Sequence, residues 1–124
     1  MKKEYRIKKS EDFKKVLDYR HTAGKNESMS VYFAPNQYEH ARFGLSVSTK
    51  LGDAVVRVRV RRQLRSMINL TGALDWPFDI VIIARPGFLN HTFQENLSLL
   101  NDALARLKPK AKGEKKWEQI RISF

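Results

Sequence analysis

The chain has 124 residues, which is enough for one domain, and 42% of them are hydrophobic, which is enough to form a core. It contains no cysteine, which excludes disulfides and thiolate metal sites, and no apolar run of 18 residues, which argues against a transmembrane span. Lysine and arginine outnumber acidic residues by 24 to 13, giving a net charge of +11. Such an excess favours a polyanionic partner, most often nucleic acid, over a basic surface that is merely solvated. We therefore expect a cytoplasmic protein that binds nucleic acid and not membrane.

The first half of the chain combines a basic N-terminus with segments rich in β-forming residues. Residues 1–9 are basic and predict a mobile arm. Ser10 is a suitable N-cap for a helix over residues 10–19, in which apolar residues recur at helical spacing. The composition then predicts strands at residues 29–35 and 42–48, with a further short strand near residues 22–25. Gly44 and Ser46 give the second long strand a face of small residues, which lets another group approach the sheet closely.

Residues 54–70 are compatible with two kinds of secondary structure. The alternation of valine and arginine over residues 56–61, taken alone, favours an amphipathic strand. Over residues 54–68 a helix fits better, because the apolar residues then form one stripe, which consists of Val56, Val60, Leu64, Met67 and Ile68. Asp53 supplies a carboxylate at the N-cap of this helix.

The second half of the chain predicts a strand and a final helix. Residues 79–84 form a short continuous apolar run, typical of a central strand covered on both faces. Thr92 and Glu95 form a capping box that opens a helix with apolar residues at helical spacing as far as residue 107. We expect a single domain over residues 1–107, followed by a basic C-terminal tail over residues 108–124.

The arginines of the predicted helix over residues 54–70 are the strongest functional signal. Positions 57–65 contain five arginines and no carboxylate. A solvated helix face usually mixes charges of both signs, and like charges destabilise an isolated helix. Tolerating them indicates a polyanionic partner, and the planar guanidinium suits phosphate and folded RNA. Val58 interrupts the pattern, because it lies in the middle of the basic face where a polar residue is expected.

Several segments together resemble the bacterial ribonuclease P protein subunit. The main block comprises residues 44–48 (GLSVS), Lys50 and residues 52–65 (GDAVVRVRVRRQLR). Residues 6–13 (RIKKSEDF) and 79–86 (DIVIIARP) extend the resemblance, which covers about residues 4–107. The chain departs from the family pattern at two positions, where Asp53 and Val58 replace asparagines. Val58 lacks an amide that would donate to RNA, so we expect it to weaken RNA binding.

The resemblance implies a fold and a function. The fold would be an α/β (α+β) two-layer sandwich in the order α-β-β-α-β-α, with a small mixed sheet and a left-handed β-α-β crossover through the arginine-rich helix. The protein would be a non-catalytic subunit of ribonuclease P, an endoribonuclease of tRNA 5′ maturation. Its partners would be the catalytic RNA subunit, which performs the magnesium-dependent hydrolysis, and precursor tRNA, whose 5′ leader is removed. Mg²⁺ would be held mainly by the RNA subunit and the substrate.

The resemblance also assigns roles to individual residues. Contacts to phosphates of the catalytic RNA are expected from basic residues in and before the arginine-rich helix, namely Lys50, Arg57, Arg59, Arg61, Arg62 and Arg65. Phe13 and Leu17 of the first helix and Tyr32 of the first long strand are candidates for contacting the single-stranded leader. For Phe13, core packing is an equally good interpretation, whereas the Tyr32 hydroxyl favours a site. Arg6, Lys8 and Lys9 either extend the basic track or belong to a solvated arm.

Two other classes of function remain open. An independent enzyme would need a catalytic constellation, but His21, His40 and His91 lie in or near predicted loops without metal-ligand spacing, and the acidic residues are scattered. We therefore predict neither a catalytic residue nor a metal site in the chain. A generic ribosomal or RNA-chaperone-like module is the other alternative, since the basic helix alone would suffice for it.

Overall fold

The computed structural model describes residues 3–107, which contain three α-helices and a four-stranded sheet. The helices are α1 (Ser10–Asp18), α2 (Ala54–Thr71) and α3 (Phe93–Ala105), and the strands are β1 (His21–Lys25), β2 (Met29–Pro35), β3 (Arg42–Val47) and β4 (Phe78–Ala84). The predicted elements are all present, within two residues of their expected bounds. The short strand anticipated near residues 22–25 is β1, so the order becomes α-β-β-β-α-β-α. The predicted tail, residues 108–124, lies outside the described residues.

The sheet is mixed, and its strands follow the order β1-β2-β4-β3. Antiparallel pairing joins β1 to β2 and β2 to β4, whereas β3 runs parallel to β4. A parallel pair needs a crossover connection, and α2 provides it between β3 and β4. The predicted β-α-β unit is therefore present, while its left hand stays a prediction. β4 lies between two neighbours and is almost wholly buried, as its apolar sequence indicated.

Helices cover both faces of this sheet. On one face, Val16 of α1 packs with Ala34 of β2 and Val81 of β4. On the other face, Leu64 of α2 and Leu100 of α3 belong to the main core, which also takes in alternate residues of β4. The α+β class is confirmed, but the helices form a layer on each side of the sheet where a two-layer sandwich was expected. The reason is that both faces of β4 are apolar and both require cover.

The N-terminal segment is ordered against the sheet, so the prediction of a mobile arm is wrong for residues 3–9. Lys3–Tyr5 form a 3₁₀ turn, and the Ile7 amide donates a 3.0 Å hydrogen bond to the carbonyl of Phe43. This contact gives the outer edge of β3 a partner, which an edge strand otherwise lacks. Ser10 is the first residue of α1 and not its cap, because Lys9 occupies the N-cap position without a side-chain hydrogen bond.

A buried polar network fixes α1 to the sheet. The Arg42 guanidinium of β3 donates to both carboxylate oxygens of Asp79, at 2.9 and 2.6 Å, and to Asp12 of α1 at 3.3 Å. Asn36 donates a further 2.9 Å bond to Asp79. The hydrogen bonds that Arg42 donates to Asp79 raise the pKa of the guanidinium, and the negative charges of Asp79 and Asp12 add to this effect. These bonds connect α1, β3 and β4 at one end of the sheet.

Candidate nucleic-acid interface

The α2 helix has the termini and the buried stripe that its sequence predicts. Asp53 accepts a 3.1 Å hydrogen bond from the Val56 amide and so caps the first turn. Gly72 ends the helix in the left-handed conformation, at φ 73°, which favours glycine. The residues buried on the core side are Val60, Leu64, Met67 and Ile68, and Val56 is packed against them. The helical interpretation of residues 54–70 is therefore confirmed.

Burying this stripe leaves the arginines on the remaining surface in two groups. Arg57, Arg61 and Arg65, spaced one turn apart, are half-buried. Arg59 and Arg62 are exposed and lie further round the helix. The Nε atoms of Arg57 and Arg65 are covered and have no hydrogen-bond partner in the described part of the chain. Lys50 is also exposed, in a 3₁₀ turn (Thr49–Leu51) just before α2. All six predicted phosphate contacts therefore lie on α2 or immediately before it.

Val58 is exposed on the basic side of α2, as the helical pattern indicated. Its exposed fraction is 49%, and that of Val55 is 68%. Both line a shallow depression of about 460 Å³ together with Arg59 and Arg62. An apolar side chain in this place offers no hydrogen bond to a ligand. Asp53, the second departure from the family pattern, is exposed at the N-terminus of the same helix and acts as its cap.

A second surface is a groove of about 340 Å³ along α1 and the segment before it. Phe13 and Leu17 supply its apolar part, both half-buried. The other lining residues, mostly basic, are Ile7, Lys8, Lys9, Ser10 and Lys14. We call this surface the α1 groove. Lys8 and Lys9 line this groove, and Lys14 joins them although the sequence analysis did not single it out. The signal for Lys14 is its place beside Phe13 on an amphipathic helix.

The Phe13 ring lies close to β3 because the strand residue opposite the ring is glycine, Gly44. A Cβ atom added at Gly44 would lie 2.7 Å from two carbons of the Phe13 ring. The small-residue face of β3 therefore receives an aromatic ring of the same chain. The Phe13 ring packs on Gly44, as the core interpretation predicts, and it also lines the α1 groove. Its contact with the leader stays a prediction.

Tyr32 lies on the same face of the sheet but not in the α1 groove. Its half-buried ring packs against the cluster of Val16, Ala34 and Val81. The Lys25 ammonium lies 5.7 Å from the centroid of the ring, within the range of a cation–π contact. The structure therefore brings Phe13 and Leu17 together and leaves Tyr32 beside them, under a basic side chain.

Residues 3–107 contain neither a metal-ligating cluster nor a membrane-spanning helix. Within this range, no three His, Asp or Glu side chains lie where they could jointly hold a metal ion. No helix of the range is long and apolar enough to cross a bilayer. The three histidines have separate neighbours: His21 contacts Phe33, His40 contacts Tyr5, and His91 lies 3.4 Å from a Glu27 oxygen.

A mixed sheet, a capped helix rich in arginine and a groove with apolar and basic walls define a small α+β protein of the nucleic-acid-binding class. Residues 1–108 match the family model for ribonuclease P. The ribonuclease P protein component of Streptococcus thermophilus is 42% identical over 101 residues, covering 81% of this chain and 89% of the relative. That of Streptococcus pneumoniae is 44% identical over 88 residues, covering 70% and 71%.

Solved structures agree with this match. The Staphylococcus aureus RNase P protein superposes with a TM-score of 0.74 at 34% identity, covering 84% of this chain and 95% of that one. The RNase P protein from Thermotoga maritima gives a TM-score of 0.73 at 27% identity, covering 83% and 97%. The chain belongs to the ribonuclease P protein family. It is therefore a protein component associated with an endoribonuclease of tRNA processing.

Proposed function

We propose that this chain is the RNA-binding subunit of ribonuclease P and assists a catalytic RNA in removing the 5′ leader of precursor tRNA in the cytoplasm. The observation that carries the proposal is the arginine-rich surface of α2, which has no carboxylate between positions 57 and 65 and lies beside the N-terminal segment. In this proposal Lys50, Arg57, Arg59, Arg61, Arg62 and Arg65 contact phosphates of the catalytic RNA. Each neutralised phosphate releases a condensed counterion, which favours binding.

The α1 groove would receive the single-stranded leader. Single strands bind to proteins by stacking bases on aromatic rings inside a basic groove, with little sequence preference. Phe13 and Leu17 supply the apolar contact, and Lys8, Lys9 and Lys14 supply the charge. Tyr32, beside the groove, offers a further ring to a strand that continues along the same face of the sheet.

The protein's part in the reaction would be binding and positioning. Mg²⁺, held mainly by the RNA subunit and the substrate, would supply the chemistry of hydrolysis. The residues of the chain would neutralise phosphates of both RNAs and hold the leader on one side of the cleavage point. Orienting the substrate in this way would lower the entropic part of the activation barrier to cleavage. Neutralising phosphates would reduce the repulsion between the two RNAs, so that the RNA subunit would need a lower concentration of Mg²⁺.

The leader assignment is tested by measuring how affinity depends on leader length. The protein bound to a bacterial ribonuclease P RNA is titrated with precursor tRNAs that carry leaders of increasing length. We expect affinity to rise with leader length and then level off once the α1 groove is filled. Leu17→Ala should reduce this rise. Leu70→Ala, the same truncation at a position on α2 that is 64% exposed, should leave it intact.

The generic RNA-binding module makes the opposite prediction. Its affinity for precursor tRNA would not depend on leader length, and the two leucine variants would behave alike. That result would remove the leader-binding role and leave α2 as a general RNA contact. A dependence on leader length that survives Leu17→Ala unchanged would place the leader elsewhere on the protein.

A further inference from the structure

A polar link between α1 and β3 lies next to the aromatic contact that places Phe13. The Arg42 guanidinium of β3 donates a 3.3 Å hydrogen bond to the carboxylate of Asp12, in the first turn of α1. Phe13, the next residue of α1, packs its ring on Gly44 of the same strand. Residues two positions apart on a strand lie on one face, so Arg42 and Gly44 both face α1. Two consecutive residues of the helix are therefore anchored on one strand.

Arg42 is itself held in place by the rest of the polar network. Its Nε and Nη2 atoms donate to the two carboxylate oxygens of Asp79 on β4, at 2.9 and 2.6 Å, and this bidentate geometry fixes the plane of the guanidinium. The ring of Tyr38, in the loop between β2 and β3, has its centroid 4.5 Å from the guanidinium carbon. The Arg42 side chain is 14% exposed and that of Asp79 is 11% exposed. The Nη1 atom therefore reaches Asp12 from a fixed position.

Apolar packing alone does not fix how α1 is turned on the sheet. Val16 packs on the sheet through apolar contacts, and such contacts are non-directional. A hydrogen bond requires a particular distance and angle, so the bond to Asp12 selects one rotation of the helix about its axis. The same rotation decides where Phe13 and Leu17, one turn apart, lie in the wall of the α1 groove. The link between Asp12 and Arg42 can thus set the shape of the groove.

We propose that Asp12 and Arg42 are positioning residues for the leader, because they hold α1 in the rotation at which the α1 groove receives a single strand. This inference rests on the proposed function for the identity of the ligand. Neither side chain lines the α1 groove, so both act through Phe13 and Leu17. In the free protein the link keeps the binding-competent position of α1 populated, so that little of the binding free energy of the leader is needed to select it.

Replacing Asp12 by asparagine removes the charge of the link and keeps the size of the side chain. The full chain, bound to a bacterial ribonuclease P RNA, is titrated with a leader-bearing precursor tRNA and with the same tRNA without its leader. The ratio of the two affinities is the leader-dependent gain. We expect Asp12→Asn to lower this gain by about threefold or more, because fewer molecules hold α1 in the binding-competent position. Glu11→Gln, the matched control, removes the same charge from an exposed residue in the same turn and should change the gain by less than about twofold.

The sign of the effect separates positioning from long-range electrostatics. Both substitutions raise the net charge of the protein by one, and a more basic protein attracts RNA more strongly. A purely electrostatic role of Asp12 would therefore tighten leader binding, and by the same amount in both variants. A loss of gain in Asp12→Asn alone, with an affinity for the catalytic RNA equal to that of Glu11→Gln, would support positioning. An unchanged or larger gain in Asp12→Asn would overturn it.

Arg42→Lys tests the other half of the link. A lysine ammonium lacks the planar fork of donors that bonds two carboxylates at once, so we expect a loss of gain similar to that of Asp12→Asn. Combining the two substitutions should then cause little further loss, since both remove one interaction. Losses that add up in the double variant would show that the two residues act separately and would overturn the link. If one variant does not fold, the other is compared with Glu11→Gln by itself.

NMR spectra of the protein without RNA keep this inference distinct from the proposed function. Asp12→Asn should weaken the nuclear Overhauser effects between the Phe13 ring and the α-protons of Gly44, and Glu11→Gln should leave them intact. Weakened effects, in a protein whose unmodified form shows no leader-dependent gain, would remove the leader-binding role and leave the positioning of α1 standing. Unchanged effects in Asp12→Asn would overturn the positioning of α1, even in a chain that binds the leader.

Discussion

Replacing Gly44 by alanine tests the contact that positions Phe13. The new Cβ would lie 2.7 Å from two Phe13 ring carbons and 3.4 Å from the Ile7 side chain. Because Gly44 has no positive φ, the cost is steric and not a matter of backbone strain. Overpacking of this kind lowers the free energy of unfolding by about 1–3 kcal/mol. Alanine also has less conformational freedom than glycine in the unfolded chain, which stabilises the folded state by roughly 0.4–1 kcal/mol. We therefore expect a net loss of about 1–2 kcal/mol in the free energy of unfolding.

A double-mutant cycle in urea denaturation measures this effect. Phe13→Leu removes the ring carbons that the new methyl group meets, so Gly44→Ala should cost close to nothing in that background. Gly44→Ala alone should also shift the Phe13 ring and weaken the binding of leader-bearing precursor tRNA. An equal cost of Gly44→Ala in the unmodified chain and in the Phe13→Leu variant would refute the contact as the cause.

Four further substitutions test other parts of the structure. Val58→Asn should tighten binding to the catalytic RNA, because it places a hydrogen-bond donor on the basic face of α2. An unchanged or weaker affinity in a filter-binding titration would show that the basic face of α2 does not contact the RNA. Asp53→Ala should lower the free energy of unfolding by about 1 kcal/mol through loss of the α2 cap, measured by urea denaturation. Asp79→Ala removes the two hydrogen bonds between the Arg42 guanidinium and Asp79. It should lower the free energy of unfolding by roughly 3 kcal/mol in the same assay. Arg59→Gln should reduce the slope of log affinity against log salt by about one, and an unchanged slope would remove Arg59 from the phosphate contacts.

Local sequence patterns were enough to predict most elements of the fold. Periodicity separates helix from strand over residues 54–70 once the window is long enough to show the stripe that includes Val60 and Leu64. Cap chemistry located the starts of α2 and α3, because Asp53 and Thr92 act within one turn. The failure at Ser10 shows the limit of this reasoning, since Lys9 takes the cap position and the carboxylate of Asp12 pairs with Arg42 of a distant strand.

Long-range contacts were not predictable from local patterns. The Arg42–Asp79 pair joins residues 37 positions apart, and no local pattern relates them. The same holds for the N-terminal segment, whose charge predicts a solvated arm but which pairs with Phe43 at the edge of β3. The resemblance to the ribonuclease P family supplied the arrangement of the candidate site, whereas physical chemistry alone supplied the basic face of α2 and the misplaced Val58.

Tertiary structure also divided the candidate site residues in a way that the sequence did not. The arginines of α2 form one cluster in the sequence, yet Arg61 and Arg65 border a cavity while Arg59 and Arg62 are open to solvent. Arg6 lines the same cavity as Arg61 and Arg65, although it is distant in sequence from all four arginines. Tyr32 similarly shares a face with Phe13 but not a groove.

Reconstitution with a bacterial ribonuclease P RNA tests the central claim most directly. The full chain is added to the RNA at a magnesium concentration too low for efficient cleavage by the RNA alone, with a leader-bearing precursor tRNA as substrate. We predict that the protein raises the rate of 5′ leader removal. No stimulation by a chain that is folded in the same buffer would contradict the proposed function.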